Sequence, residues 1–143
     1  MEIKPIIQAL LLADHVYFDA ESGKCIIAGS YNGFCVRTVP GIHNKPSVMY
    51  LCLTEVRGKT DITLRYVDLS NNKVLLEYGP LAVESDDPME VLEMTVQVPE
   101  IPIPRYGTYA FEVHAWNELL GFLRVSVEPF PENTGGAQKK EHD

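Results

Sequence analysis

The sequence predicts an all-β protein, a single antiparallel β-sandwich of about eight strands. Three observations predict it. Short apolar runs follow one another from end to end, punctuated by turn chemistry. Several runs alternate, as where Ile62, Leu64 and Tyr66 share one face and Asp61, Thr63 and Arg65 the other. No long window carries the helical repeat of apolar residues. A closed barrel is the alternative architecture, because the sequence names strands but not their order in space.

The strands are expected over residues 6–18, 24–36, 47–56, 59–69, 73–78, 90–98, 108–116 and 119–127. "DAESGK" separates the first two, "RGK" follows the third, "LSNNK" the fourth, and "WNEL" joins the last pair. "QALLLA" and "VMYLCL" are apolar on both faces, which suits central strands covered on each side. Gly29 and Gly33 interrupt a strand-like run and mark a bulge, a bend or a close backbone approach. The segment "RTVPGIHNKPS", residues 37–47, is long for a hairpin and carries Arg37, His43, Asn44 and Lys45. It reads equally as a binding loop and as a crossover between sheets. "ESDDPMEVLEM" offers at most a helical turn at Pro88. The domain is expected over 1–130, with a polar, flexible tail over 131–143.

A chain of 143 residues is sized for one domain that buries roughly two-thirds of its unfolded surface. Its formal net charge of −8 repels phosphates and anionic lipid headgroups, so neither nucleic acid nor membrane is an expected partner. Cys25, Cys35 and Cys52 are odd in number and lack CxxC spacing, which fits reduced thiols in the cytoplasm. The first residues, "MEIKPIIQALLLADHV", mix charge, proline and Gln8 into the apolar run, unlike a signal peptide. No segment approaches the roughly 20 apolar residues of a membrane-spanning helix.

Signatures of chemistry are weak. "SGK" lacks the upstream glycine of a phosphate loop, and no GxGxxG or GxSxG occurs. His15, His43 and His114 have neither HxH nor HxxxH spacing. Glu112 and His114 share a strand face, where both are expected in solvent. Glu84, Asp86, Asp87 and Glu90 lack the regular spacing of a calcium loop and read as a solvated charge run. The chain is accordingly read as non-catalytic, with no cofactor or metal implied.

Two resemblances add to this. "RYGTYAF" resembles the tyrosine corner of immunoglobulin-like sandwiches, with Gly107, Tyr109 and Phe111 at the glycine, tyrosine and cysteine positions. Arg105 replaces the usual acid and Phe111 the cysteine, so no inter-sheet disulfide is implied. This supports an immunoglobulin-like or jelly-roll-like sandwich. Ala13, Asp14, Val16, Gly23, Lys24, Ile27, Gly29 and Phe34 match the A-D-x-V and G-K-x-x-I-x-G-x-x-x-x-F pattern of a family. The chain is similar over residues 13–127 to that family of small bacterial proteins of unknown function. The resemblance lends no activity and implies a bacterial, cytoplasmic source.

The function expected is a binding or scaffold module that engages a protein partner or itself through sheet faces and loops. A two-residue Asn117–Glu118 turn would pair Trp116 with Leu119, His114 with Gly121 and Val113 with Phe122. Trp116 and Leu119 then form an aromatic–aliphatic anchor near the turn. Arg37 and His43 are the candidates in the long loop. The alternative is a small-molecule or carbohydrate binder with Tyr31, Asn32 and Trp116 lining a groove. A jelly-roll metalloenzyme using the three histidines is a third reading.

Overall fold

Nearly every apolar run becomes a strand. The computed structural model describes residues 3–131. Its strands in chain order are β1 Ile6–Phe18, β2 Cys25–Tyr31, β3 Gly33–Val36, β4 Gly41–His43, β5 Val48–Thr54, β6 Gly58–Asp68, β7 Lys73–Ser85, β8 Leu92–Gln97, β9 Ile101–Ile103, β10 Gly107–Ala115 and β11 Glu118–Pro129. No helix lies among the described residues, so none is long and apolar enough to cross a membrane. From residue 132 onward the expected polar tail lies outside the described residues.

The all-β class is as expected, but the finer architecture is not. Eleven strands are described, in three sheets rather than one antiparallel sandwich of eight strands. The first sheet has the order β2-β1-β5-β8, the second β3-β11-β10-β6-β7, and β4 pairs with β9 in a small third. All pairs are antiparallel except β3 with β11.

The parallel pair arises where one expected strand, 24–36, splits. The chain leaves the first sheet at Tyr31 and joins the second at Gly33 without reversing direction. Asn32 accepts the Ser126 amide at 3.1 Å at the junction. A Cβ on Gly33 would stand 2.6 Å from Ser126 Oγ and 3.1 Å from the Ser126 carbonyl oxygen, so a side chain there would push the two strands apart by a few tenths of an ångström. Gly29 faces the same demand, with φ +74° and Asp14 Oδ2 at 2.5 Å from where a Cβ would sit. Both glycines are thus structural.

The remaining departures have local causes. β4 and β9 are three residues each, too short to show a period. β7 runs past Gly79 and Pro80 to Ser85, because an edge strand tolerates a proline that donates nothing to the ladder. The 37–47 loop contains β4 and carries the chain from the second sheet back to the first, so it is a crossover. Around Pro88 the chain makes a turn, with the Glu90 amide donating to the Asp87 carbonyl at 2.9 Å.

The first two sheets share their core. Leu12 and Met49 from the first meet Tyr66, Tyr109, Phe111, Val125 and Val127 from the second, with Ile101 and Ile103 of β9. Leu51 and Leu53 meet Ile62, Leu64, Val113 and Ala115 in the adjoining cluster. The alternation read in β6 therefore set its inward face correctly, and Tyr109, Phe111, Val113 and Ala115 alternate onto the core face of β10 in the same way. Each fully buried large apolar side chain stabilises by about 1.5–3 kcal/mol. β5 is buried on both faces, as its continuous apolar run requires.

Candidate functional site

The outer face of the second sheet is built row by row. Glu77 on β7, Arg65 on β6, Glu112 on β10 and Phe122 on β11 stand side by side in register. The next row sets Thr63, His114 and Leu119 together. Arg65 Nε lies 3.3 Å from Glu77 Oε1, and His114 Nε2 lies 2.9 Å from Glu112 Oε1. The Arg124 guanidinium sits 5.3 Å from the Phe122 ring centroid, within cation–π reach. Among these charged groups, Leu119 is 45% exposed and Phe122 49%, with Trp116 40% exposed at the hairpin turn.

Two expectations are corrected here. Glu112 and His114 do share a face, but they are bonded to each other and only 23% and 13% exposed rather than solvated. His114 Nδ1 is buried with no hydrogen-bond partner among the described residues. The hairpin register is also displaced. Ala115 pairs with Glu118, so the turn is Trp116–Asn117 rather than Asn117–Glu118. Both turn residues have positive φ, 53° and 61°, as a tight two-residue hairpin turn demands. Asn117 accepts that conformation readily, and the glutamate escapes it.

A bulge between Val113 and His114 then sets Leu119 opposite His114, Gly121 opposite Val113 and Phe122 opposite Glu112. Phe122, expected beside Val113 in the core, is turned onto the outer face. It is the residue that sequence reasoning missed: moving the turn alone would set it opposite the buried Phe111, and the bulge is what turns it outward.

Tyr31, Asn32 and His43 gather around the start of β3, while Arg37 follows its end. Phe34 stacks on His43 with centroids 4.1 Å apart, and Tyr31 lies 6.2 Å from each. The Tyr31 hydroxyl bonds the buried Ser47 hydroxyl. Burial, and then the Lys45 charge, hold the His43 imidazole below its ordinary range, with Asp14 opposing them. Arg37 lies over Phe130 at 4.8 Å, while the Tyr106 hydroxyl donates to the Val36 and Arg37 carbonyls at 3.2 Å.

This nest is at the Val127 end of β11, whereas Trp116 and Leu119 are at the other end. The nine-residue β10 separates them by about 30 Å. Tyr31, Asn32 and Trp116 therefore do not line one groove, which corrects that expectation.

The Tyr109 hydroxyl donates to the Arg105 carbonyl at 2.5 Å and accepts the Arg105 amide at 3.1 Å, making the tyrosine corner that "RYGTYAF" suggested. Arg105 Nε also reaches Asp68 Oδ2 at 3.1 Å. In the acidic stretch, the Ser85 hydroxyl donates to the Asp87 carbonyl and the Met89 amide to Asp87 Oδ1, each at 2.9 Å. Among the described residues, no three His, Cys, Asp or Glu side chains are placed to hold a metal ion.

An immunoglobulin-like protein from Pseudomonas aeruginosa shares 12% identity and a TM-score of 0.42, over 87% of this chain and 97% of that one. That likeness is too slight to argue from. No curated protein sequence matches the chain. The family described as a family of unknown function, DUF6941, matches residues 8–128, including every motif position from Ala13 to Phe34. With most of its length so matched, the chain belongs to that family of unknown function.

Proposed function

We propose that this protein is a non-catalytic binding module of the bacterial cytoplasm, docking a protein partner through the outer face of its second sheet. One observation carries the reading: Trp116, Leu119 and Phe122 are exposed together along one hairpin, bordered by charges of both signs. Isolated exposed apolar residues are ordinary, but an aromatic-rich group with a charged rim has the composition of an interface. The occupant it fits best is a second copy of this chain. Arg65 and Arg124 share the face with Glu77 and Glu112, so a self-complementary two-fold pairing has both signs available on each copy. The free thiols of Cys25, Cys35 and Cys52 support a reducing compartment.

The test is sedimentation across a concentration series, with lysate capture alongside. The wild type is expected to self-associate, and Phe122→Asp to weaken that association by about 2 kcal/mol or more, as interface anchors do. A wild-type chain that stays monomeric, and captures nothing that Phe122→Asp fails to capture, overturns the reading.

A further inference from the structure

The far end of the β1–β2 hairpin stands over β8. Val16, Tyr17, Phe18 and Cys25 on one side and Glu93 and Thr95 on the other line a groove of about 300 Å³. Sheet curl explains its existence. In register terms the hairpin end and Glu93 lie at opposite ends of the first sheet, so only strong coiling brings them together. The same coiling covers Tyr50 and Cys52, which are 7% exposed although they point away from the core.

Glu93 is not an ordinary surface carboxylate. The buried Tyr50 hydroxyl donates to its Oε2, which fixes the side chain over the groove. Glu93 takes part in no ion pair among the described residues, and besides Tyr50 the group that borders it is the Cys25 thiol, a weak donor. Tyr17 and Phe18 stand largely exposed alongside. The Cys25 thiol borders the same carboxylate; burial and then that charge push its pKa up, so it stays neutral and adds no second charge.

The geometry points to a binding site for a small organic cation, a primary alkylammonium with a short apolar or aromatic tail. Its head would meet the Glu93 carboxylate, and its tail would lie along Phe18 and Val16, whose side chains share the strand face of Cys25. An anion is repelled by Glu93 and by the net charge of −8. A neutral ligand would cover the carboxylate without pairing it, which is costly. An ammonium satisfies the carboxylate and is attracted to the aromatic faces. This site uses the outer side of the first sheet and does not depend on the docking face of the second.

The experiment is an amide-resolved NMR titration of the full chain with phenethylammonium, with phenethyl alcohol and phenylacetate as neutral and anionic controls. Saturable shifts at Tyr17, Cys25 and Glu93 are expected with phenethylammonium alone. Glu93→Gln should weaken binding about tenfold or more, the loss of one charge pair. Tyr50→Phe, which frees the carboxylate without removing it, should weaken it several-fold. Spectral dispersion in each variant verifies that the fold is retained. Equal binding of the alcohol, unchanged affinity in Glu93→Gln, or no shift at millimolar phenethylammonium each overturns the proposal.

Discussion

Asp68 shows how one residue ties a corner together. It is 1% exposed, accepts the Ser70 amide at 2.9 Å and hydroxyl at 2.7 Å, and meets Arg105 Nε. Burial alone would raise its pKa. The Ser70 bonds and the Arg105 guanidinium outweigh burial and hold the carboxyl below its ordinary 3.8. Asp68→Asn should therefore destabilise the protein by about 2 kcal/mol at neutral pH, the worth of hydrogen bonds to a buried charge. The sign with pH follows from linkage. A depressed pKa contributes stability above the unfolded value, and that stability is lost as pH falls through the folded one. The difference between wild type and Asp68→Asn in urea unfolding should shrink below pH 3.8. A constant difference across that range would mean the mutation acts through packing instead. The acid is absent from the tyrosine-corner heptad itself, since "RYGTYAF" has Arg105 in its place. A carboxylate 37 residues earlier supplies the partner, which local spacing has no means of showing.

Among the elements, the β10–β11 hairpin holds the main conflict between local preference and structure. Trp116 occupies the left-handed region at φ 53°, where a bulky residue is strained. Trp116→Asn should relieve that strain and raise stability by roughly 0.5–1 kcal/mol in thermal or urea unfolding. The same change removes the aromatic from the docking face, so self-association should weaken while stability rises. Loss of stability would show that Trp116 is held there by packing rather than for contact. The hairpin also marks where sequence reading stops. Tyr109, Phe111, Val113 and Ala115 were legible as core because period-two alternation records the pleat. The register of the partner strand was not, because it turns on which two residues accept positive φ and on the bulge between Val113 and His114. A shift of one residue carried Phe122 from the core to the surface. The split at Gly33 is similar. Glycine signalled a close approach, but nothing local states which strand is approached.

At the scale of the whole molecule, what sequence recorded least was long-range closure. The groove above Glu93 exists because a curled sheet brings its hairpin end back to its far edge, and no spacing along the chain encodes that. The crossover was half legible. Its length and prolines announced a connection, while the placing of His43 against Phe34 depends on β4 pairing with β9. That placing couples the joint between sheets to pH. Burial, and then Lys45, keep the His43 imidazole below its ordinary 6.5, so the unfolded chain takes up its proton first. Stability is fully present above pH 6.5 and is lost as pH falls through the folded pKa. The unfolding free energy should therefore fall with acid in two separate stages, first through His43 and then, below 3.8, through Asp68. His43→Phe keeps an aromatic ring against Phe34 but carries no proton, so it should flatten the first stage and leave the second intact. Urea unfolding of both proteins across acid pH measures this. An unchanged first stage in His43→Phe would assign it to another group and remove the crossover from the acid response.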